Sequence, residues 1–235
     1  MMREALIREL ERLAPPELAD PEDAGRIGLV IEGRPEAGTT CASLDVTPRV
    51  VARAVEAGAG TLVVHHTPIY EPVTSLTGPL GRLLAPLLAN QVNLYVMHTN
   101  FDRAPRGIND ALGELLGLAN PEQMELGLVG DCRIGLPEIA RRLGGPVRVW
   151  GTVPRLTRLA VVGGSGFDPG LLAGAARRGA DAFLSAELKH HVAVSAPLPC
   201  IEATHYALEA PGMRRLASEM GWEFIEDRPE VTPIP

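Results

Sequence analysis

The residues of this 235-residue chain that could do chemistry gather at four places. In TLVVHHTPIY, residues 61–70, four residues of buried-strand character run into two adjacent histidines, His65 and His66. His98 closes the apolar run VNLYVMH and has Asp102 four residues on. Glu187 closes DAFLSAE, with Lys189, His190 and His191 behind it, and His205 follows PCIEAT with Glu209 four residues later. These places hold all six histidines. Each is the carboxyl end of an expected strand, where open α/β sheets bind their ligands.

Imidazole and carboxylate without thiolate suit Zn, Mn, Fe, Co or Ni. His205 and Glu209 share one face if both are helical. Successive side chains on a strand point to opposite faces, so His65 and His66 would flank two ions rather than bind one, unless the strand has ended before them. Two metals ~3.5–4 Å apart are the arrangement used for hydrolytic chemistry. If the histidines bind as neutral ligands, Asp102 and Glu209 supply two negative charges against two divalent ions. The surplus positive charge suits an anionic substrate such as a phosphate ester.

A lone strand-end histidine is usually a surface or capping residue, so it is the shared company of these groups that favours a metal. His98 reads either as a ligand or proton carrier, or as a cap for the next helix. His191 and Lys189 read as groups supporting a ligand or meeting substrate, and His190 as solvent-facing. GGSGFD, residues 163–168, is neither GxGxxG nor GxxxxGK[ST]. It reads better as a tight turn before a helix capped by Asp168 than as a phosphate loop.

The elements that must carry these groups follow an α/β grammar. Residues 3–14 predict an amphipathic helix, and RIGLVIEG and TCASLD predict strands around a turn at 34–38. Asp45 and Thr47 offer N-cap oxygens, and Pro48 fits the first turn of a helix over RVVARAVEAG. LGRLLAPLLAN and GINDALGELLGL predict further helices. In the second half RLAVVGGSG, DAFLSAE and PCIEAT predict strands, and DPGLLAGAARRGA, LKHHVAVSA and HYALEAPGMRRLASEM predict helices. LDVTPRVVARAVEAGAGTLVVHH and SGFDPGLLAGAARRGADAFLSAE share one plan of capped helix, glycine turn and strand. An internal duplication into two similar α/β lobes, 1–120 and 121–235, is expected, with residues 120–156 as a joint rich in Gly and Pro and the metal site between the lobes.

Composition narrows the function classes. Hydrophobic residues make up 46% and charged residues 22%, an ordinary globular balance. The formal net charge is −7 and no basic stripe stands out, which argues against nucleic acid or an anionic membrane as partner. Cys41, Cys132 and Cys200 are dispersed without CxxC spacing, pointing to a reducing compartment. MMREALIRELERL is too charged for a signal peptide, and no apolar run approaches the ~18 residues of a membrane span. The expectation is a soluble cytoplasmic protein.

Taken together, the motifs resemble those of the NIF-three-like family, whose bacterial members are often labelled GTP cyclohydrolase I type 2 homologues. VVHHTPIY resembles its HHP segment, and HTNFDRAPRGINDAL its HTNLD…GGVNDAL segment. AVVGGSGFDPGLLAGAARRGADAFLSAELKHH looks like its GGSG…GADAFLTGDxKxH block, and THYALE like GHYxTE. The blocks run in family order from about Leu44 to Glu209. The departures are Thr67 between the histidine pair and Pro68, Ser185-Ala186-Glu187 for TGD, and Thr204 for the glycine of GHY. The joint is too short for the domain that longer members insert. The resemblance implies a two-lobed α/β fold, a toroidal homohexamer and a dinuclear divalent-metal site. Its ligands would be His65, His66, Asp102, His205 and Glu209, with Glu209 bridging.

The leading functional expectation is a dinuclear metal-dependent hydrolase of GTP cyclohydrolase type, with Glu187 or His98 carrying a proton. A phosphatase or phosphodiesterase is one alternative. A non-enzymatic metal-binding or regulatory scaffold is the other.

Overall fold

Residues 1–232 are described by the computed structural model. They form two units, one of Met1–Pro105 with Met213–Arg228, the other built from Arg106–Gly212. The division anticipated at residue 120 thus falls inside the second of these, past its first helix.

In the first unit the helix α1 (Arg3–Leu13) precedes strands β1 (Gly28–Ile31) and β2 (Thr39–Ser43). Helix α2 (Pro48–Glu56), strand β3 (Ala59–Val64), helix α3 (Gly78–Ala89), strand β4 (Asn93–Val96) and the short helix α4 (Thr99–Arg103) follow. α2 begins as its sequence dictates: Thr47 Oγ1 accepts the Val50 N–H at 3.2 Å, and Pro48 occupies the first turn. Every residue of β3 and β4 is buried, as befits near-continuous apolar runs in a parallel sheet. Gly60 is required by a close approach, since a Cβ there would lie 2.4 Å from the Ala37 carbonyl oxygen. Val50, Val51, Leu62, Val64, Leu84, Leu87, Leu94 and Val96 share one core.

The second unit runs through α5 (Ile108–Leu116), β5 (Ala119–Gln123), β6 (Leu128–Asp131), α6 (Leu136–Leu143) and β7 (Arg148–Trp150). Then come β8 (Arg158–Val161), α7 (Pro169–Arg177), β9 (Ala182–Ser185), α8 (His190–Ser195), β10 (Cys200–Glu202) and α9 (His205–Met220), of which the residues up to Gly212 belong to this unit. Asp168 caps α7, its Oδ1 accepting the N–H groups of Gly170 and Leu171. The chain then returns to the first unit, where β11 (Glu223–Phe224) pairs with β2.

The first sheet has the order β1-β4-β3-β2-β11, with β1 antiparallel and the rest parallel. The second has the order β5-β6-β8-β9-β10-β7, with β8, β9 and β10 parallel and the other pairings antiparallel. The path β2-α2-β3-α3-β4 is repeated as β8-α7-β9-α8-β10, so the anticipated repeat is present at the level of topology.

One expectation needs correction. Residues 120–156 are not a joint, because they supply β6, α6, β7 and most of β5 to the second unit. Their signal is weak because β5 and β7 are exposed edge strands with little apolar pattern. The short elements α4 and β11 were also not foreseen. Cys41, Cys132 and Cys200 are buried free thiols, and burial raises all three, Cys200 to about 11. No helix among the described residues is long and apolar enough to cross a membrane.

Candidate metal centre

In the first unit β3 ends at Val64, and the backbone N–H groups of His65 and His66 both donate to the Leu44 carbonyl, at 3.1 and 3.0 Å. The chain has already turned at His65, so strand alternation does not extend to the pair. The two rings lie 4.8 Å apart between centroids. Side chains sent to opposite faces are therefore not what the structure gives, and that route to two ions fails.

Each ring is held from behind. His65 is fully buried, with Nδ1 2.7 Å from the Met97 carbonyl oxygen. That oxygen only accepts, so Nδ1 carries the proton and the lone pair is on Nε2. His66 Nδ1 is 2.7 Å from Asp45 Oδ1. His98, the residue before α4, makes no side-chain cap bond. Instead its Nδ1 lies 2.9 Å from both carboxylate oxygens of Asp23, which is 5% exposed. Asp23 also accepts the Thr99 N–H at 3.2 Å and the Thr99 hydroxyl. Burial opposes ionisation of Asp23, but the bonds from Thr99 and His98 outweigh it and hold the carboxyl below its ordinary value.

The His98 ring lies 5.2 Å from that of His65 and 5.6 Å from that of His66. One ligand nitrogen from each of the three falls within 4.8 Å of the others. Asp102, on α4, brings Oδ1 to 3.6 Å from His65 Nε2.

In the second unit α9 opens at His205. His205 Nδ1 is 2.8 Å from Glu187 Oε1, and one turn on, the buried Glu209 sets Oε2 2.9 Å from His205 Nε2. Two donors so spaced match one edge of a coordination shell with bonds of ~2.0–2.2 Å. GGSG has a role here that differs from phosphate binding. Gly164 adopts φ +66°, and a Cβ on it would lie 2.2 Å from Glu209 Oε1 and 3.2 Å from His205 Nε2. The missing side chain leaves room for the donor pair. Ser185 fixes the turn, its Oγ donating to the Gly164 carbonyl and accepting the Gly166 N–H, both at 2.8 Å. Glu187 itself sits at φ +62° with its side chain exposed. Lys189, His190 and His191 are exposed around the start of α8.

All four inward histidines share one construction, with Nδ1 tied to a carboxylate or carbonyl so that Nε2 is the atom that could coordinate an ion. This is how proteins orient metal-ligating imidazoles, and the donor sets of both units fit a divalent ion. Sequence reasoning missed Asp45 and Asp23. Asp45 ends the strand-like run TCASLD and could have been found by the same strand-end rule. Asp23 sits in an irregular stretch that carries no periodic signal.

A family model described as Duf34/NIF3 (NGG1p interacting factor 3) matches residues 1–232. A Methanocaldococcus jannaschii protein named "GTP cyclohydrolase 1 type 2 homolog" is 31% identical, over 96% of this chain and 98% of its own. A Streptomyces coelicolor protein of the same name is 32% identical, over 95% and 86%. The solved structure "Reduced HcgD from Methanocaldococcus jannaschii" superposes with a TM-score of 0.81 at 28% identity, covering 95% of this chain and 96% of that one.

Proposed function

The chain belongs to the Duf34/NIF3 family, and from that premise we propose that it is a divalent-metal-dependent hydrolase acting on a nucleotide or another phosphorylated small molecule. His65, His66, Asp102, His205 and Glu209 hold two ions per chain, of Fe, Mn, Zn, Co or Ni. The observation that carries the reading is the common anchoring of the imidazoles through Nδ1, to the Met97 carbonyl, Asp45 and Glu187, which orients each ring so that Nε2 could coordinate an ion. When bound, two divalent ions against two carboxylates supply Lewis acidity, acidify water and draw an anionic substrate.

The protein's own groups do the rest. The Met97 carbonyl, Asp45 and Glu187 hold the Nδ1 protons of His65, His66 and His205 and fix the ring planes. Glu187, exposed and already bonded to His205, is the group best able to pass a proton to solvent, with His98 as the second candidate. Exposed nearby in sequence, Lys189 offers a cationic contact and His191 a ring N–H to a phosphate. The relatives' printed name supports GTP as the first substrate to try. The working unit is a homohexamer in the cytoplasm, and light scattering should give six chain masses.

A second reading, a metal-binding scaffold, is favoured by the family description as an interacting factor. Protein stripped of metal and restored with Fe, Mn or Zn, then assayed against GTP and a phosphoester panel, separates the two. Turnover of GTP supports the cyclohydrolase form, and turnover of esters alone a phosphatase. Stoichiometric metal without turnover of any substrate supports the scaffold. His65→Ala and Glu209→Ala should each lower metal content, and full content in both would overturn the ligand set.

A further inference from the structure

We propose that the cleft between α2 and α3 binds a medium-chain fatty carboxylate, with the hydrocarbon chain along the two helices and the carboxylate on Arg82. None of the lining residues belongs to the metal centre, and the inference stands without that reading.

The cleft follows from the way the helices pack. β2, β3 and β4 are parallel neighbours, so α2 and α3 cross over on one face of the sheet and run side by side in one direction. Val51, Leu84 and Leu87 seat them in a shared core. Above that contact Pro48, Val51 and Val55 recur at helical spacing on α2, and Pro79, Leu83 and Pro86 do the same on α3. Between the two stripes Ala52 and the prolines are too short to close the gap, which leaves a cavity of about 690 Å³. Proline rings have almost no rotamer freedom to lose, so much of the wall is formed before a ligand arrives.

Two features choose the occupant. The first is size. The volume falls within the ~300–1,000 Å³ of small-ligand sites. From Pro48 to Val55, and from Pro79 to Pro86, is roughly 10 Å of helix, the reach of a medium-chain fatty acid. A protein partner would need about 20–30 residues on this side, and the cleft offers nine. The second is charge. Seven of the nine side chains are hydrocarbon, and the other two are Glu56 and Arg82. Glu56 already lies in the field of Arg53, three residues before it on α2. Arg82 is exposed and has no hydrogen bond or ion pair among the described residues. A guanidinium set in a hydrocarbon wall without a counter-charge calls for an anion, and a carboxylate meets its parallel N–H groups. An apolar chain ending in a carboxylate satisfies both features.

The test is calorimetric titration of the full chain, stripped of metal so that no carboxylate binds there, with hexanoate, octanoate, decanoate and decanol. Decanoate should bind once per chain, and affinity should rise about fourfold per added methylene, the equivalent of ~0.8 kcal/mol for each CH₂ buried. Arg82→Gln should weaken decanoate about tenfold and leave decanol unchanged. Ala52→Trp should fill the cleft and abolish binding of both. Melts check that each variant folds. If Ala52→Trp does not, the methyl NMR signals of Val51, Val55 and Leu83 in the wild-type protein decide, since they must move with decanoate. Unmoved methyl signals overturn the proposal. So do equal affinities for hexanoate and decanoate, or decanoate affinity undiminished in either variant. Wild-type protein that binds no decanoate also overturns it, and a lower mass for Ala52→Trp by light scattering would then give the cleft to a second copy of the chain.

Discussion

Gly164 adopts φ +66° beside the donor pair of the second unit, and its lack of a side chain is what lets Glu209 and His205 meet. Two separable costs follow from adding one methyl group. An L-residue in this left-handed conformation is disfavoured by roughly 1–2 kcal/mol. The Glu209 carboxylate must also move, because the new Cβ would otherwise lie 2.2 Å from its Oε1. Gly179 supplies the control, since it has φ +73° and nothing within 4 Å of an added Cβ. Gly179→Ala should therefore lower stability by about 1 kcal/mol and leave metal affinity unchanged. Gly164→Ala should lower stability by at least as much and metal affinity about tenfold or more. Denaturant melts of metal-free protein and metal titrations measure the two effects separately. Equal affinities in the two variants would show that the turn does not shape the donor pair.

At the scale of elements, α6 has its own acid-sensitive clasp. Glu138, in its first turn, accepts from Arg141 at 2.6 and 2.7 Å and from Arg142 at 2.8 Å. The bond from Arg141 is the leading cause that holds its carboxyl at about 2, with Arg142 second. The folded value lies below the unfolded one, so the clasp stabilises fully above the ordinary carboxylate range and is lost as pH falls from there through about 2. Glu138→Gln should lower the urea midpoint at pH 7, by a small amount because the pair is exposed, and the difference from wild type should vanish near pH 2. A difference independent of pH would assign the effect to helix propensity. α6 also marks the limit of what the sequence discloses. The parallel strands β2, β3, β4, β8, β9 and β10 were legible because burial on both faces requires unbroken apolar runs, and the capped helices α2 and α7 because Thr47 and Asp168 precede prolines. The strand-end rule found every histidine, yet misjudged how His65 and His66 point, since a turn at one residue cannot be told from one more residue of strand. It passed over Asp45 as a helix cap. Asp23 reaches His98 from a segment with no periodicity, by contacts that only the folded chain creates.

For the molecule as a whole, the donors run from position 65 to 209, so an unfolded chain cannot bring them together. Ions that bind only the native state stabilise it by about 2.7 kcal/mol per site at a hundredfold excess over Kd. Metal-stripped protein should thus melt at a clearly lower temperature than protein loaded with Zn or Co, and a chelator should reverse the gain. The net charge of −7 supplies a competing explanation, because any divalent cation screens the self-repulsion of an acidic chain. The two differ in selectivity. Screening depends on ionic strength and treats Mg²⁺ like Zn²⁺, whereas nitrogen donors discriminate strongly between them. Melts in Zn²⁺, Co²⁺ and Mg²⁺ at matched ionic strength should therefore separate, with Mg²⁺ close to the metal-free value. His65→Ala should lose most of the Zn²⁺ and Co²⁺ gain while keeping the small Mg²⁺ one. Equal shifts for all three cations, undiminished in His65→Ala, would assign the stabilisation to surface charge and leave the imidazoles without a bound ion to explain their orientation.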